Sequence, residues 1–217
     1  MPRSADHTRH RLIAAGEQLF AERGIDNVSL REISRTSGSR NVMALQHHFA
    51  DRDGLLQAIV DKHHARVEAR RNHLLGNLTG ARPPSLLPLA AALVGPFAAC
   101  LVDDDGGRYY LQILADLLSR PRFDVWPRPV PDQPDSLERW RALVNPYLTP
   151  TQRKLHRRFA ATLYVVTELS RWSRRRPPYD IKLISSSLAD IVEGILRAGV
   201  SHSTRAALRR HGNELND

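Results

Sequence analysis

Apolar residues recur at helical spacing along almost the whole of this chain. Between Thr8 and Arg23, Leu12, Ile13, Ala15, Leu19 and Phe20 share one stripe of a 3.6-residue turn, and Gly24 follows where such a helix would stop. Ser29-Leu30-Arg31-Glu32 has the form of a capping box, in which hydroxyl and carboxylate each satisfy a free amide at a helix start. A second helix is therefore predicted from Leu30 to about Ser37, where Gly38 breaks it. Val42, Leu45 and Phe49 predict a short third helix over Val42–His48. Asp51 is placed to cap a fourth, which carries Leu55, Leu56, Ile59 and Val60 and then turns highly charged from Lys62 to Arg71, as a connector would.

Gly76–Pro84 is rich in Gly and Pro and marks a boundary. The reading is of three segments: 1–50, 51–75 as a connecting helix, and 76–217. In the last, helices are expected over 85–102, 107–119, 136–147, 150–175 and 180–200, with five prolines making Pro121–Pro134 an irregular loop. On 150–175 one stripe holds Leu155, Phe159, Thr162, Leu163, Val166 and Leu169, and a second holds Ala161, Tyr164, Val165, Glu168 and Trp172. The final helix likewise has Ile184, Leu188, Ile191 and Ile195 on one stripe, and Ala189, Val192, Leu196 and Gly199 on the next. Helices apolar nearly all round are covered on two sides, and the second side is read as another subunit. Ala161, Val165, Leu188, Val192, Ile195 and Gly199 are the interface candidates; an internal helix pair in a monomer is the alternative. No alternating run of strand length appears, so the chain is read as all-α.

Composition narrows the picture. At 217 residues, 41% apolar and 25% charged, the chain is an ordinary globular protein of one to two domains. No stretch approaches the roughly 18 apolar residues of a membrane span, and the first twenty lack a signal-peptide pattern. A cytoplasmic protein without a membrane partner is expected. The single Cys100 excludes an intrachain disulfide and a Cys-based zinc site. A net charge of +9 and a pI near 10.5 favour a polyanionic partner.

Chemistry of other kinds finds no support. Phosphate loops, Gly-x-Ser-x-Gly and His-Glu-x-x-His are absent, and no convergent acid, base and nucleophile set appears, so neither enzyme nor cofactor is expected. Asp103-Asp104-Asp105-Gly106-Gly107 lacks the alternating ligands of a calcium loop and reads as a turn. His63 and His64, adjacent on a helix, point about 100° apart and read as solvated surface rather than one metal site.

A helix, a short turn with Gly and a second short helix form a helix-turn-helix, which sets its second helix in a DNA major groove. Here Phe20-x-x-x-Gly24, Val28-Ser29, Ile33-Ser34, Ser37-Gly38, Ala44-Leu45, His48-Phe49 and Asp51-Arg52-Asp53-x-Leu55 together resemble the DNA-binding domain of the tetracycline-repressor (TetR) family, over roughly residues 8–60. The chain departs from that pattern at Ile25, where an aromatic is usual, at Gln46, where a Tyr is usual, and in a turn one residue longer.

The resemblance implies a homodimeric transcriptional regulator, most often a repressor, that binds an inverted-repeat operator in double-stranded DNA under control of a small-molecule effector. Val42, Met43 and Ala44 would meet base edges, Arg40 and Asn41 are polar candidates for bases, and Gln46, His47, His48 and Arg52 would hold the backbone, with Ser29 a further DNA-binding candidate and the helix starts at Leu30 and Arg52 offering amides to phosphate. Phe97, Tyr109, Tyr110, Gln112, Trp126, Trp140, Phe159, Tyr164 and Glu168 are the effector-pocket candidates, as aromatics and isolated polar groups on apolar helices. A ligand-independent architectural DNA-binding protein and an all-helical enzyme are the alternatives.

Overall fold

The computed structural model describes residues 2–38, 42–78, 80, 83–120 and 127–214, with backbone alone for 2–5, 42–44, 46 and 211–214. Among the described residues the regular structure is entirely helical: α1 (Pro2–Arg23), α2 (Leu30–Thr36), α3 (Val42–Phe49), α4 (Arg52–Leu78), α5 (Leu86–Ala98), α6 (Gly107–Ser119), α7 (Ser136–Val144), α8 (Pro150–Lys154), α9 (Arg157–Ser173), α10 (Ile181–Arg197) and α11 (His202–Glu214). No helix among them is long and apolar enough to cross a membrane.

The first core gathers the stripe of α1 with Ile33 of α2, Leu45 and Phe49 of α3 and Leu55, Leu56, Ile59 and Val60 of α4. Gly24 ends α1 at φ 84, a backbone angle costly for any residue with a Cβ, while its amide still donates to Phe20 O at 2.9 Å. Ser29 caps α2 as expected, accepting from Glu32 N at 3.3 Å. The reciprocal half of the predicted box is absent, because the Glu32 carboxylate pairs with Arg23 across the turn instead. Asp51 Oδ1 accepts from Gly54 N at 2.8 Å and starts α4.

The second core is larger. It is built from α5, α6, α9 and α10 around Trp140, whose Nε1 donates to Leu89 O at 2.8 Å. The two cores share elements: α4 continues through Gly76 to Leu78 and adds Val67 and Leu75 to the second, while Ile113 and Leu117 of α6 pack into the first.

Several expected bounds are corrected. The helix expected over 150–175 is interrupted: His156 takes a left-handed φ of 52, separating α8 from α9. Histidine is among the residues that tolerate this region, so no Gly or Pro announces the break. The break turns α8 onto the end of α10, where Gln152 Nε2 donates to Ala198 O at 2.9 Å. The helices expected over 85–102 and 136–147 tighten into 3-10 turns at Ala99–Val102 and Asn145–Tyr147. Helix α11 was not expected, since its polar sequence offers little apolar stripe.

Candidate DNA-binding face and effector cavity

In the helix-turn-helix, the buried sides of α2 and α3 are pinned to α1 by Ile33, Leu45 and Phe49. Arg9 lies 5.2 Å from the Phe49 ring centroid, and Arg11 donates to Ser37 O at the end of α2. Phe49 is thus a core anchor. Of the DNA candidates, Arg40 and Asn41 lie outside the described residues, and Val42, Met43, Ala44 and Gln46 are placed on α3 by backbone alone. His47 is exposed and His48 half-buried, their rings 5.6 Å apart. Arg52, half-buried at the start of α4, lies 3.9 Å from Asp26 and from Asp53. Its charge is shared with these two carboxylates.

Residues 12–59 match the family model described as bacterial regulatory proteins of the tetR family. The N-terminal domain is a TetR-family DNA-binding domain. Around it, most of the chain shares its fold with solved structures. One is a gamma-butyrolactone receptor described as ArpA-like, 22% identical, with 88% of this chain and 98% of that one covered and a TM-score of 0.51. Another, titled as the molecular basis for control of antibiotic production by bacterial hormones, is 20% identical over 88% of this chain and 98% of that one, with a TM-score of 0.50. At these identities the likeness is one of fold. No curated protein matches the chain.

Behind the TetR-type domain lies a cavity of about 220 Å³. Val67, Phe97, Tyr110, Leu114, Leu118 and Val166 give it an apolar wall; His64, Glu68 and Arg71 of α4 and Arg141 of α7 give it polar points, and Pro127, Pro129 and Val130 complete the lining. Burial pushes the His64 pKa down, against the opposing pull of Glu68. Two of the nine pocket candidates, Phe97 and Tyr110, line this cavity.

The others lie elsewhere, for physical reasons. Trp140 is spent in the core, its indole satisfied by Leu89. Tyr109 and Gln112 line a polar surface cleft with Asp103, Asp104 and Arg108, because they fall on the outer side of α6. Phe159 is 41% exposed beside the α8–α9 break. Tyr164 and Glu168 are half-buried on α9, and Glu168 is held by Arg171 at 2.6 Å. Trp126 lies outside the described residues.

The dimer candidates are also corrected. Ala161, Val165, Leu188 and Val192 are all buried within this chain, packed in its second core, and have no surface to offer a partner. Gly199 lies beyond the end of α10. Ile195 alone of the six is a half-buried helix position facing outward in part. The outer faces are instead those of Leu163, Tyr164 and Thr167 on α9 and Leu183, Ser187 and Ile191 on α10, with Leu183 65% and Ile191 42% exposed.

The largest departure from the sequence reading is on α4. His63 is 1% exposed, not solvated. Its Nε2 meets Glu17 Oε1 of α1 at 2.8 Å, and its ring stacks on Tyr110 of α6 with centroids 4.8 Å apart. Lys62 Nζ donates to the same Glu17 oxygen at 3.0 Å and to Asp105 Oδ1 at 2.8 Å. Arg66 holds Asp103 and Asp105 at 2.9 and 2.7 Å. Gly106, at φ 88, presses so close to Glu17 that a Cβ would lie 2.1 Å from Oε2. The acidic segment read as a turn is a turn, and it is clamped onto the junction between the TetR-type domain and the rest of the chain. Sequence reasoning missed Glu17 because it sits on the apolar stripe of α1 without a local partner; its position inside that stripe was the available signal.

Proposed function

We propose that this chain is a homodimeric transcriptional repressor acting in the cytoplasm, whose affinity for an inverted-repeat operator is set by a small molecule in the cavity behind α4. The observation that carries the reading is a shared residue. Tyr110 forms part of the cavity wall and also stacks on His63, whose other contact is Glu17 in the DNA-binding domain. A ligand that displaces Tyr110 or tilts α4 therefore moves groups packed directly against α1. Arg120 at the end of α6 adds a second tie, donating to Asp26 Oδ2 at 2.8 Å, beside Arg52.

Because two recognition helices must reach two half-sites together, a small change in their separation costs affinity. Couplings of about 1–3 kcal/mol, or roughly 5–150-fold, are typical of such linked sites. The outward faces of α9 and α10 supply the dimer contact in this reading. The test is selection of bound sequences from random DNA, followed by anisotropy titration with the selected duplex. Recovery of a symmetric two-part site supports the reading. An asymmetric or sequence-independent preference refutes it.

A further inference from the structure

Arg71 is 1% exposed and forms part of the cavity wall. Only one of its nitrogens is fully employed: Nη1 donates to Ser136 Oγ at 2.9 Å and to Glu68 Oε1 at 3.2 Å. Nε and Nη2 find no acceptor among the described residues. Glu68 is turned to Ser136 instead, which donates from Oγ to its Oε1 at 2.6 Å and from N to its Oε2 at 2.7 Å. One face of the guanidinium is covered by the Phe97 ring, 5.0 Å from its centroid. Buried donors without acceptors are uncommon, and in native proteins they call for a partner. In arginine these two groups form a fork that a single oxygen acceptor or a pair can engage.

The charge around the fork decides what that partner is. The Arg71 cation is already balanced by Glu68 at 3.2 Å, and the nearby wall adds Asp135 and Arg141, one of each sign. An anionic ligand would bring an uncompensated negative charge next to the buried Glu68, where desolvating it is costly. An uncharged oxygen acceptor brings no such penalty and suits the apolar remainder of the wall.

We propose that the effector site takes an uncharged, largely apolar molecule bearing a carbonyl-type oxygen, and that Arg71 Nε and Nη2 donate to that oxygen. This rests on the reading of the cavity as the effector site. A volume of about 220 Å³ has room for a ring with a short chain.

The experiment uses three near-isosteric probes on the full chain by titration calorimetry: 4-phenylbutan-2-one, butylbenzene and 3-phenylpropanoate. The ketone is expected to bind about tenfold or more tightly than the hydrocarbon, as a hydrogen bond to a charged donor warrants, and more tightly than the carboxylate. In the double variant Arg71→Met with Glu68→Gln, which leaves no unpaired buried charge, the ketone and hydrocarbon are expected to bind within about twofold of one another. The wild-type ranking stands as a test whether or not that variant folds. Tightest binding of the carboxylate overturns the uncharged class, and a ketone advantage that survives in the double variant overturns the role of Arg71. Equal binding of ketone and hydrocarbon to the wild type overturns the inference while leaving the cavity reading intact; no binding of any probe overturns both.

Discussion

Replacing Glu17 with Ala tests the junction between the DNA-binding domain and the cavity. The carboxylate is 2% exposed and receives His63 Nε2 at 2.8 Å and Lys62 Nζ at 3.0 Å. Without it, His63 keeps neither nitrogen satisfied, since Nδ1 already lacks a partner. A buried donor stranded in this way costs about 1–3 kcal/mol. Lys62 adds less, because it is partly exposed to solvent screening and retains Asp105. For a chain of this length each kcal/mol moves the melting temperature by about 2–4 °C, so a drop of roughly 2–12 °C is expected by calorimetry. In the His63→Leu background the same substitution strands no imidazole donor, and the double-mutant cycle is expected to return a coupling of about 1–2 kcal/mol. Operator affinity measured with and without effector is expected to show a weakened response in Glu17→Ala. A melting shift below about 1 °C together with zero coupling in the cycle would refute the claim that this contact joins the two parts.

Other expectations follow from the same geometry. Leu183→Asp with Ile191→Glu, on the exposed side of α10, is expected to convert a light-scattering mass of twice 24.5 kDa to 24.5 kDa while the fold persists, whereas Val192→Glu, fully buried, is expected to unfold the chain. A wild-type monomer at tens of micromolar would overturn the dimer. Burial holds the His64 pKa below its ordinary value of 6.5 in the folded state, so the proton favours the unfolded chain; stability is full above that value and falls as pH drops below it toward the folded pKa. Urea midpoints at about pH 7.5 and 5.5 are expected to differ more for the wild type than for His64→Gln, and equal differences would remove His64 as the cause. Arg52→Ala is expected to weaken binding to all duplexes alike and to lower the salt slope by about one, while Asp26→Ala, which removes one of the two carboxylates beside Arg52, is expected to strengthen it; a change confined to one base pair would reassign Arg52 to base reading.

What the sequence determined was whatever depends on neighbours along the chain. The stripe from Leu12 to Phe20, the stop at Gly24, the cap at Ser29 and the start at Asp51 are local patterns, each with a periodicity or a hydrogen bond spanning three or four residues, and each is found where expected. The TetR-type motifs over residues 12–59 were legible for the same reason. Tertiary structure decided everything that depends on which stripe meets which. An apolar ring around a helix does not say whether its second face meets a sister helix or another subunit, and so Val165 and Val192, read as interface, lie in the core of a single chain. A run of charge from Lys62 to Arg71 looks solvated in one dimension. In the fold it carries His63, Glu68 and Arg71 inward, because Glu17, Ser136 and Tyr110 arrive from helices 46, 68 and 47 residues distant to meet them. Burial of a charged group depends on a partner that removes its desolvation cost, and that partner is a property of packing that no local spacing along the chain encodes.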